Sequence, residues 1–188
     1  MIDSNELNYF EWQIPMGSRV QLGLYKIEEL ATMHEWKHQV DISFLTCRPV
    51  QRMSLEERIR RFEEKVPAVF AIRRAEDNQL LGEISVYGYN SKNRSIGIGY
   101  FTGPNYRQQG YTKEALQLML THLFDRVGLN KVMADTGSFN KGSIALLKSC
   151  GFHQDGRLRQ HQLLDGILHD RLLFSLLAEE RHPAHTLV

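Results

Sequence analysis

Apolar and polar positions alternate at strand spacing through much of the first half of the chain. Val20, Leu22 and Leu24 are separated by polar or small residues, which predicts a half-buried first strand over residues 19–25. Further strands are predicted over residues 69–74, 80–89 and 94–102. Residues 75–78, between the first two of these, are rich in turn formers. The pattern therefore predicts three consecutive antiparallel strands leading to the centre of the chain.

Apolar residues recur at helical spacing in four other segments. Helices are predicted over residues 27–37, 54–65, 110–127 and 140–151. Ser54 and Glu57 form the pattern of a capping box, in which the serine begins the helix and the glutamate lies in its first turn. Asn140 is a favourable N-cap and Gly151 a favourable C-terminal cap. Both ends of the last helix are therefore marked in the sequence.

Strand spacing returns at the end of the chain. Strands are predicted over residues 131–136, 156–163 and 168–177. Between the last two lies Leu164-Asp165-Gly166, whose Asp-Gly pair is typical of a two-residue hairpin turn. About seven strands and about four helices indicate the α/β (α+β) class.

Length and composition predict one globular domain. With 188 residues, 42% of them hydrophobic, the chain suits a single domain over residues 1–188 with its core at about residues 19–179. Cys47 and Cys150 form no disulfide framework, and the first residues resemble neither a signal nor a transit peptide, so a cytoplasmic location is expected. We expect no membrane or nucleic-acid partner, because no stretch suits a membrane span and the formal net charge is only +1.

The centre of the chain has the sequence of an anion site. The predicted central strand ends at Gly103-Pro104, and residues 107–112 lead from there into a helix. The first turn of a helix has N–H groups without intrahelical partners, and Gly110 has no Cβ to keep a ligand away from them. Arg107 and Lys113 add positive charge. The segment therefore predicts a phosphate or diphosphate site, with an ordinary helix N-terminus as the alternative. It lacks the glycine spacing of a Walker loop or a dinucleotide fingerprint.

A second pattern belongs to a different chemistry. His34-Glu35-Trp36-Lys37-His38 matches the H-E-x-x-H sequence of zinc proteases. A catalytic zinc needs a third protein ligand, and residues 41–45, which follow this helix, contain no convincing ligand motif. We therefore predict no metal site and interpret the two histidines as part of a polar helix face. Zinc hydrolysis is the least favoured alternative.

The central loop resembles that of a known family. Arg107-x-x-Gly110-x-Thr112 is similar to the Gln/Arg-x-x-Gly-x-Gly/Ala loop of the GNAT superfamily of acetyl-coenzyme A dependent N-acetyltransferases. Residues 99–116, GYFTGPNYRQQGYTKEAL, resemble the branch of the ribosomal-protein N-terminal and spermidine acetyltransferases. Thr112 departs from the family's Gly or Ala, and Gly23-Leu24 stands where the branch usually has Arg-Pro.

The resemblance continues through the second half and covers about residues 19–179. Asn140, Ser143 and Gly151-Phe152 resemble the family's Asn-x-x-Ser/Ala helix with its Gly-Phe ending. Residues 156–159 and His169-Asp170 resemble its closing hairpin. The family implies a mixed, mostly antiparallel sheet that is splayed at the central strand.

The same resemblance implies acetyl-CoA as co-substrate. The central strand would diverge from its neighbour over residues 97–102 and pair with the pantetheine arm like an added strand. Gly97 and Gly99 suit that approach, although tight sheet packing also explains them. Asn140 would hydrogen-bond the pantetheine amide or the amine, in addition to or instead of capping its helix. The implied cofactor-binding residues are Tyr100, Phe101, Thr102, Arg107, Gln108, Gln109, Gly110, Tyr111, Thr112, Asn140, Ser143 and Lys148.

For catalysis the resemblance implies direct transfer without an acyl-enzyme. The N–H of Phe101 would hold the oxyanion of the tetrahedral intermediate. Many relatives have a tyrosine seven residues after the asparagine as the acid, and Leu147 stands there instead, so Ser143 or water is the expected proton donor to the thiolate. Glu83 is the candidate general base, directly or through water, with an outward-facing strand residue as the alternative. Asn140 completes the candidate catalytic set.

Several other residues are weaker candidates. Tyr100 and Asp170 are second candidates for the base. His161 and His169 lie in the closing hairpin, where they line the amine site or are simply exposed strand histidines. Cys150 is expected to be a small core residue rather than a nucleophile.

The expected function is acetylation of a primary amine, most favourably a protein N-terminal α-amine of the ribosomal-protein type. An α-amino group has a pKa near ~8 and an alkyl ammonium one near ~10.4, so the α-amine needs less help to lose its proton. A small-molecule amine (polyamine, aminoglycoside or amino acid) is the alternative acceptor. A non-catalytic acetyl-CoA-binding module is a third hypothesis, favoured by Thr112 and Leu147. A monomer or homodimer is expected.

Overall fold

The computed structural model describes residues 12–39, 53–64 and 68–181, and these residues form one sheet with helices on both faces. The seven strands are β1 (Val20–Leu24), β2 (Val69–Arg74), β3 (Leu80–Asn90), β4 (Ser95–Thr102), β5 (Lys131–Gly137), β6 (His153–Leu164) and β7 (Ile167–Leu177). The four α-helices are α1 (Ile27–Gln39), α2 (Leu55–Glu64), α3 (Tyr111–Thr121) and α4 (Lys141–Ser149). The predicted fold class is confirmed.

The sheet is antiparallel except at its centre. Its strand order is β1-β2-β3-β4-β5-β7-β6, and only β4 and β5 run parallel. These two strands pair over three residues alone, from Ser95 opposite Lys131 to Gly97 opposite Met133. Beyond that point β4 continues to Thr102 beside β3, and β5 continues to Gly137 beside β7. The predicted splay at the central strand is therefore present, and it opens between the two halves of the sheet.

Two hydrophobic clusters hold the helices against the sheet. One face packs on α1 and α2 through buried residues that include Leu30, Met33 and Phe101. The opposite face packs on α3 and α4 through a larger cluster that includes Leu116 and Leu147. Burial of this apolar surface on both faces is the main favourable contribution to folding.

Local signals position α4 as the sequence predicts. The side chain of Asn140 accepts a hydrogen bond of 3.1 Å from the N–H of Ser143. At the other end Gly151 has φ of +88°, and the N–H groups of Gly151 and Phe152 donate to the carbonyls of Lys148 and Leu147. This pair of bonds is a Schellman motif, in which glycine takes the left-handed conformation at no steric cost. The geometry fixes both ends of α4 beside the splay.

Two elements differ from the prediction by three residues or more at one end. The helix expected over residues 110–127 is α-helical only to Thr121, and residues 122–126 form a π-helical turn in which the N–H of Val127 donates to the carbonyl of His122. The strand expected from residue 156 begins at His153, which pairs with Ser175 of β7. The predicted hairpin turn is confirmed, with positive φ at Asp165 and Gly166.

Some predictions fall outside the described residues. These are Cys47, residues 41–45 and the end of the helix predicted at residues 54–65. Its start is described, and the N–H of Glu57 donates to the Ser54 hydroxyl at 3.1 Å, which is one of the two bonds of a capping box, while the Glu57 carboxylate accepts from Arg60 and Arg61. In the described part of the chain no helix combines the length and apolar character that crossing a bilayer requires.

Candidate active site

The loop before α3 presents main-chain donors. Gln108 and Gly110 have φ of +59° and +83°, so the chain turns sharply before the helix begins at Tyr111. Among the described residues, none accepts a hydrogen bond from the main-chain N–H groups of residues 108–113. Gln108, Gln109 and Gly110 are exposed. The free N–H groups and the positive end of the helix dipole make this loop suited to an anion.

Arg19 holds the loop in position, a role that the sequence did not indicate. Its guanidinium donates to the carbonyl of Gln109 at 3.2 Å and to Glu114 in α3 at 3.2 Å. The carboxylate of Glu114 also accepts from the main-chain N–H of Arg19 at 2.8 Å. A Cβ at Gly110 would lie 2.9 Å from the Arg19 guanidinium. The start of β1 and the first turn of α3 thus clamp the loop between them.

Arg107 points away from the loop. Its Nε donates to the carbonyl of Thr102 at 3.2 Å, and its guanidinium carbon lies 5.8 Å from the centre of the Phe101 ring. Its Nη2 is buried, and no residue in the described ranges accepts a hydrogen bond from it. The sequence predicted charge beside the anion loop, whereas the structure directs the guanidinium to the Phe101 side of β4.

Thr112, the departure from the family loop, is turned toward the sheet. Its hydroxyl is hydrogen-bonded to the hydroxyl of Thr102 at the end of β4. Thr112 therefore joins the first turn of α3 to the central strand, and its side chain is engaged there rather than with the loop's donors.

The glycines of β4 accommodate a tyrosine from β3. A Cβ at Gly97 would overlap the ring of Tyr87, and one at Gly99 would lie 2.9 Å from the Ser85 hydroxyl. The Tyr87 hydroxyl lies 3.5 Å from the carbonyl of Ile98 and 3.4 Å from Oδ1 of Asp135 in β5. Tight packing against β3, the alternative explanation of these glycines, therefore leaves no room for a side chain at either position on this face of β4.

The alternation of main-chain groups corrects the prediction for Phe101. The N–H of Gly103 donates to the carbonyl of Leu81, and register pairs Phe101 with Glu83. Because neighbouring residues of a strand direct their N–H groups to opposite sides, the N–H of Phe101 points to β3. The N–H groups of Tyr100 and Thr102 point instead into the gap between β4 and β5. Phe101 therefore does not offer its N–H to an oxyanion there.

On the α4 side of the gap, two hydroxyls meet. The hydroxyl groups of Tyr100 and Ser143 are 2.8 Å apart, and either can donate. Burial raises the pKa of Tyr100 above its ordinary value, so this phenol keeps its proton and is unsuited to act as a base. Leu147 is fully buried, and Lys148 is exposed. Leu147, which stands where many relatives have the tyrosine that acts as an acid, is therefore part of the hydrophobic core.

Glu83 lies on the opposite face, in a charged cluster. Its carboxylate accepts from the ammonium of Lys37 at 2.6 Å and from the hydroxyl of Tyr25 at 3.1 Å. The Glu83 side chain is 15% exposed and that of Lys37 18%, so the alternative of an outward-facing glutamate is wrong. Burial, followed by the charge and hydrogen bond of Glu83, raises the pKa of Tyr25. The tyrosine remains a proton donor to the carboxylate.

The remaining candidates lie in the β6–β7 hairpin. Asp170 is paired with Arg157 and accepts from the N–H of Gln160 at 2.8 Å. The Gln160 bond and then Arg157 hold the pKa of Asp170 below its ordinary value, which makes it a weak base. His161 is exposed and lies 3.5 Å from the Arg171 guanidinium, and the ring of His169 packs edge-on against Phe139.

Two alternative chemistries lack support in this geometry. Cys150 is partly buried, and burial raises the pKa of its thiol, which disfavours the nucleophilic thiolate. The rings of His34 and His38 are 4.0 Å apart, and Nε of Arg58 lies 3.4 Å from Nδ1 of His34. Within residues 12–39, 53–64 and 68–181, no group of three His, Cys, Asp or Glu side chains could hold a metal ion.

The described groups fit acetyl-CoA. The free N–H groups of residues 108–113 match the needs of a diphosphate, since an anion there satisfies several donors at once. The gap between β4 and β5 leaves main-chain groups of Ile98, Tyr100 and Thr102 along one edge, as an added strand requires. The side-chain oxygen of Asn140 makes the cap, and its amide nitrogen donates to no residue within the described ranges.

Comparisons with known proteins agree with this geometry. Residues 19–153 match the family model of the acetyltransferase (GNAT) domain. The chain is 28% identical over 116 residues to the uncharacterized N-acetyltransferase YoaA of Bacillus subtilis, covering 62% of this chain and 66% of that protein. It is 30% identical over 104 residues to the putative ribosomal N-acetyltransferase YdaF of the same organism, covering 55% of this chain and 57% of that protein. The matched region is thus under two thirds of these two relatives.

A solved structure has the same fold. The spermidine N-acetyltransferase from Vibrio cholerae in complex with CoA and spermine superposes with a TM-score of 0.78. The match covers 87% of this chain and 98% of that chain, at 18% sequence identity. At that identity the likeness concerns the fold.

Proposed function

Because the chain belongs to the GNAT acetyltransferase family, as its sequence resemblance predicted, we propose that it transfers the acetyl group of acetyl-CoA to a primary amine, most favourably a protein N-terminal α-amine. The observation that carries this proposal is the divergence of β4 from β5 directly beside the donor-rich loop that begins α3. The gap between the two strands fits the pantetheine arm of acetyl-CoA, and the adjacent loop fits its diphosphate.

The binding part of the proposal assigns a contact to each segment. The N–H groups of Gln108, Gln109, Gly110, Tyr111 and Thr112 would bind the diphosphate. The N–H groups of Tyr100 and Thr102 and the carbonyl of Tyr100 would pair with the pantetheine arm, and the amide nitrogen of Asn140 would donate to it. Lys148 is exposed near the end of α4 and has the weakest case as a ligand.

The chemical part uses few side chains. Acetyl-CoA supplies an activated thioester. Attack requires an amine with a free lone pair, and Glu83, held in position by Lys37 and Tyr25, is our candidate base, directly or through water. An α-amine with a pKa near ~8 loses its proton more readily than an alkyl ammonium near ~10.4, so it needs less help from a base.

The oxyanion and the leaving thiol are assigned to the gap between the strands. The N–H of Tyr100 points into this gap, and we propose it as the oxyanion donor in place of that of Phe101. The Ser143 hydroxyl, hydrogen-bonded to that of Tyr100, would donate a proton to the departing thiolate. A thiol has a pKa of about 8.5, so a weak donor suffices.

Thiol release from acetyl-CoA tests this function with four classes of acceptor: N-terminal peptides, polyamines, aminoglycosides and amino acids. The proposal predicts release that depends on the acceptor and an acetylated product of the expected mass. Binding of acetyl-CoA without any turnover would favour the non-catalytic module, which the buried Leu147 keeps as the second candidate.

A further inference from the structure

Helix α4 lies on one face of the gap between β4 and β5, and charged side chains, one of them Lys37 of α1, line the other face. On the α4 face the Tyr100 side chain meets Ser143 of α4. Side chains alternate along a strand, so register puts Phe101, Glu83 and Asp135 together on the other face. Arg171, opposite Gly137 of β5, lies on that face too. We call these four residues, with Lys37 and Arg107, the acceptor face.

The carboxylates of the acceptor face are already paired with cations of the protein. Glu83 is 2.6 Å from the Lys37 ammonium. Asp135 is held by two bonds from Arg171, of 2.8 and 2.9 Å. The exposed fractions of these carboxylate side chains are only 15% and 16%. A polycationic acceptor would have to displace a partly buried, paired cation from each of them, and the desolvation of its own charges there opposes the exchange.

Further cations surround the ring of Phe101. The Lys37 ammonium and the Arg107 guanidinium carbon each lie 5.8 Å from its centre. The buried Nη2 of Arg107 has no acceptor among the residues that the structure describes. Among the described residues, Glu83 and Asp135 are each paired with one cation, Lys37 and Arg171, and the guanidinium of Arg107 adds a positive charge that no described carboxylate pairs. Such a surface attracts an acceptor with negative charge near its amine.

We infer that the acceptor is a peptide N-terminus followed by acidic residues, rather than a polyamine. This inference rests on the proposed function and specifies its substrate class. The α-amine would approach the gap while the following carboxylates meet Arg107 and its neighbours on the acceptor face. The same cations disfavour a charged ammonium beside them and so favour the neutral amine that attack requires.

Three acceptors test the inference on the full-length protein with acetyl-CoA. They are a peptide with a serine N-terminus followed by four glutamates, the same peptide with four arginines, and spermidine. Arginine offers no primary amine, so both peptides have one acceptor. We expect kcat/KM for the acidic peptide to be at least about tenfold higher than for the other two, and the ratio to shrink with added salt because its origin is electrostatic.

Two matched variants locate the preference. Arg171→Gln removes the cation that is paired with Asp135, and Arg181→Gln removes a cation that is paired with Asp125 away from the acceptor face. Both change the net charge equally. We expect the acidic-to-basic ratio to fall about fivefold or more in R171Q and to stay unchanged in R181Q. Both peptides are measured on the same preparation of each variant, so a loss of folded enzyme lowers both kcat/KM values equally and leaves their ratio unchanged.

The outcomes separate this inference from the proposed function. Turnover in which spermidine or the arginine peptide equals or exceeds the acidic peptide would overturn the inference alone, as would equal ratios in R171Q and R181Q. The absence of thiol release with every acceptor contradicts the proposed function itself.

Discussion

The hydroxyl of Tyr87 in β3 lies 3.4 Å from Oδ1 of Asp135 in β5, so one side chain crosses the central strand where the sheet opens. It passes over Gly97, where a Cβ would overlap the ring. Arg171 holds the same carboxylate from β7. The two halves of the sheet, which share only three paired residues of β4 and β5, are thereby joined on one face of the gap.

Substitution of Gly97 should disturb this bridge. Gly97→Ala forces the Tyr87 ring to move, and overpacking of this kind costs about 1–3 kcal/mol of unfolding free energy. Acetyl-CoA affinity should fall as well, because the bridge sets the separation of β4 and β5. Chemical denaturation and calorimetric titration measure both effects. Gly142→Ala is the control, because a Cβ at Gly142 would lie 3.9 Å from the nearest of the neighbouring atoms. Its free energy of unfolding and its affinity for acetyl-CoA should remain close to those of the parent.

Substitution of Gly110 should separate backbone strain from binding. Gly110 has φ of +83° and Gly166 has φ of +74°, so alanine at either position costs about 1–2 kcal/mol. Only Gly110 belongs to the proposed diphosphate loop. We expect G110A to lower acetyl-CoA affinity at least tenfold by calorimetry and G166A to leave it unchanged. Equal affinities in the two variants would argue against the loop as the anion site.

Asn140 combines a structural and a proposed ligand role, and two variants distinguish them. Asn140→Ala removes the cap and should cost about 1 kcal/mol of stability. Asn140→Asp retains an oxygen acceptor for the N–H of Ser143 but lacks the amide donor. N140D should therefore keep the parent's melting temperature within a few degrees while its KM for acetyl-CoA rises. An unchanged KM in N140D would leave Asn140 as a cap alone.

The clamp between Arg19 and Glu114 predicts a dependence of stability on pH. Although burial opposes the shift, hydrogen bonds from the Arg19 main chain and side chain lower the pKa of Glu114. A lowered pKa in the folded state gives stability that is present above the unfolded pKa and lost as pH falls through the folded one. Glu114→Gln should therefore be less stable than the parent at pH 7, and the difference should shrink in acid. A difference that is constant from pH 7 to pH 3 would contradict the clamp.

Local features could be predicted from the sequence because their causes are local. The ends of α4 follow from Asn140 and Gly151, the last hairpin turn from Asp165-Gly166, and the donor-rich loop from a glycine before a helix. The strand bounds of β2 matched the apolar pattern.

The contacts that complete the site come from distant parts of the chain. Lys37 meets Glu83 across 46 residues, and Arg19 meets Glu114 across 95. Residues 100 and 101 both lie opposite residues of β3, and the register decides which of the two directs its N–H to that strand, so a shift of one residue reverses it. No periodicity contains that information, so the sequence could not show that the N–H of Phe101 points to β3.

Amide hydrogen exchange with and without acetyl-CoA tests the central claim most directly, because the claim concerns main-chain N–H groups. The account predicts that the ligand slows exchange at residues 108–113 and at Tyr100 and Thr102, while exchange at Phe101, whose N–H points to β3, is slow in both states. Unchanged exchange at the loop and at the gap in the presence of saturating acetyl-CoA would contradict it.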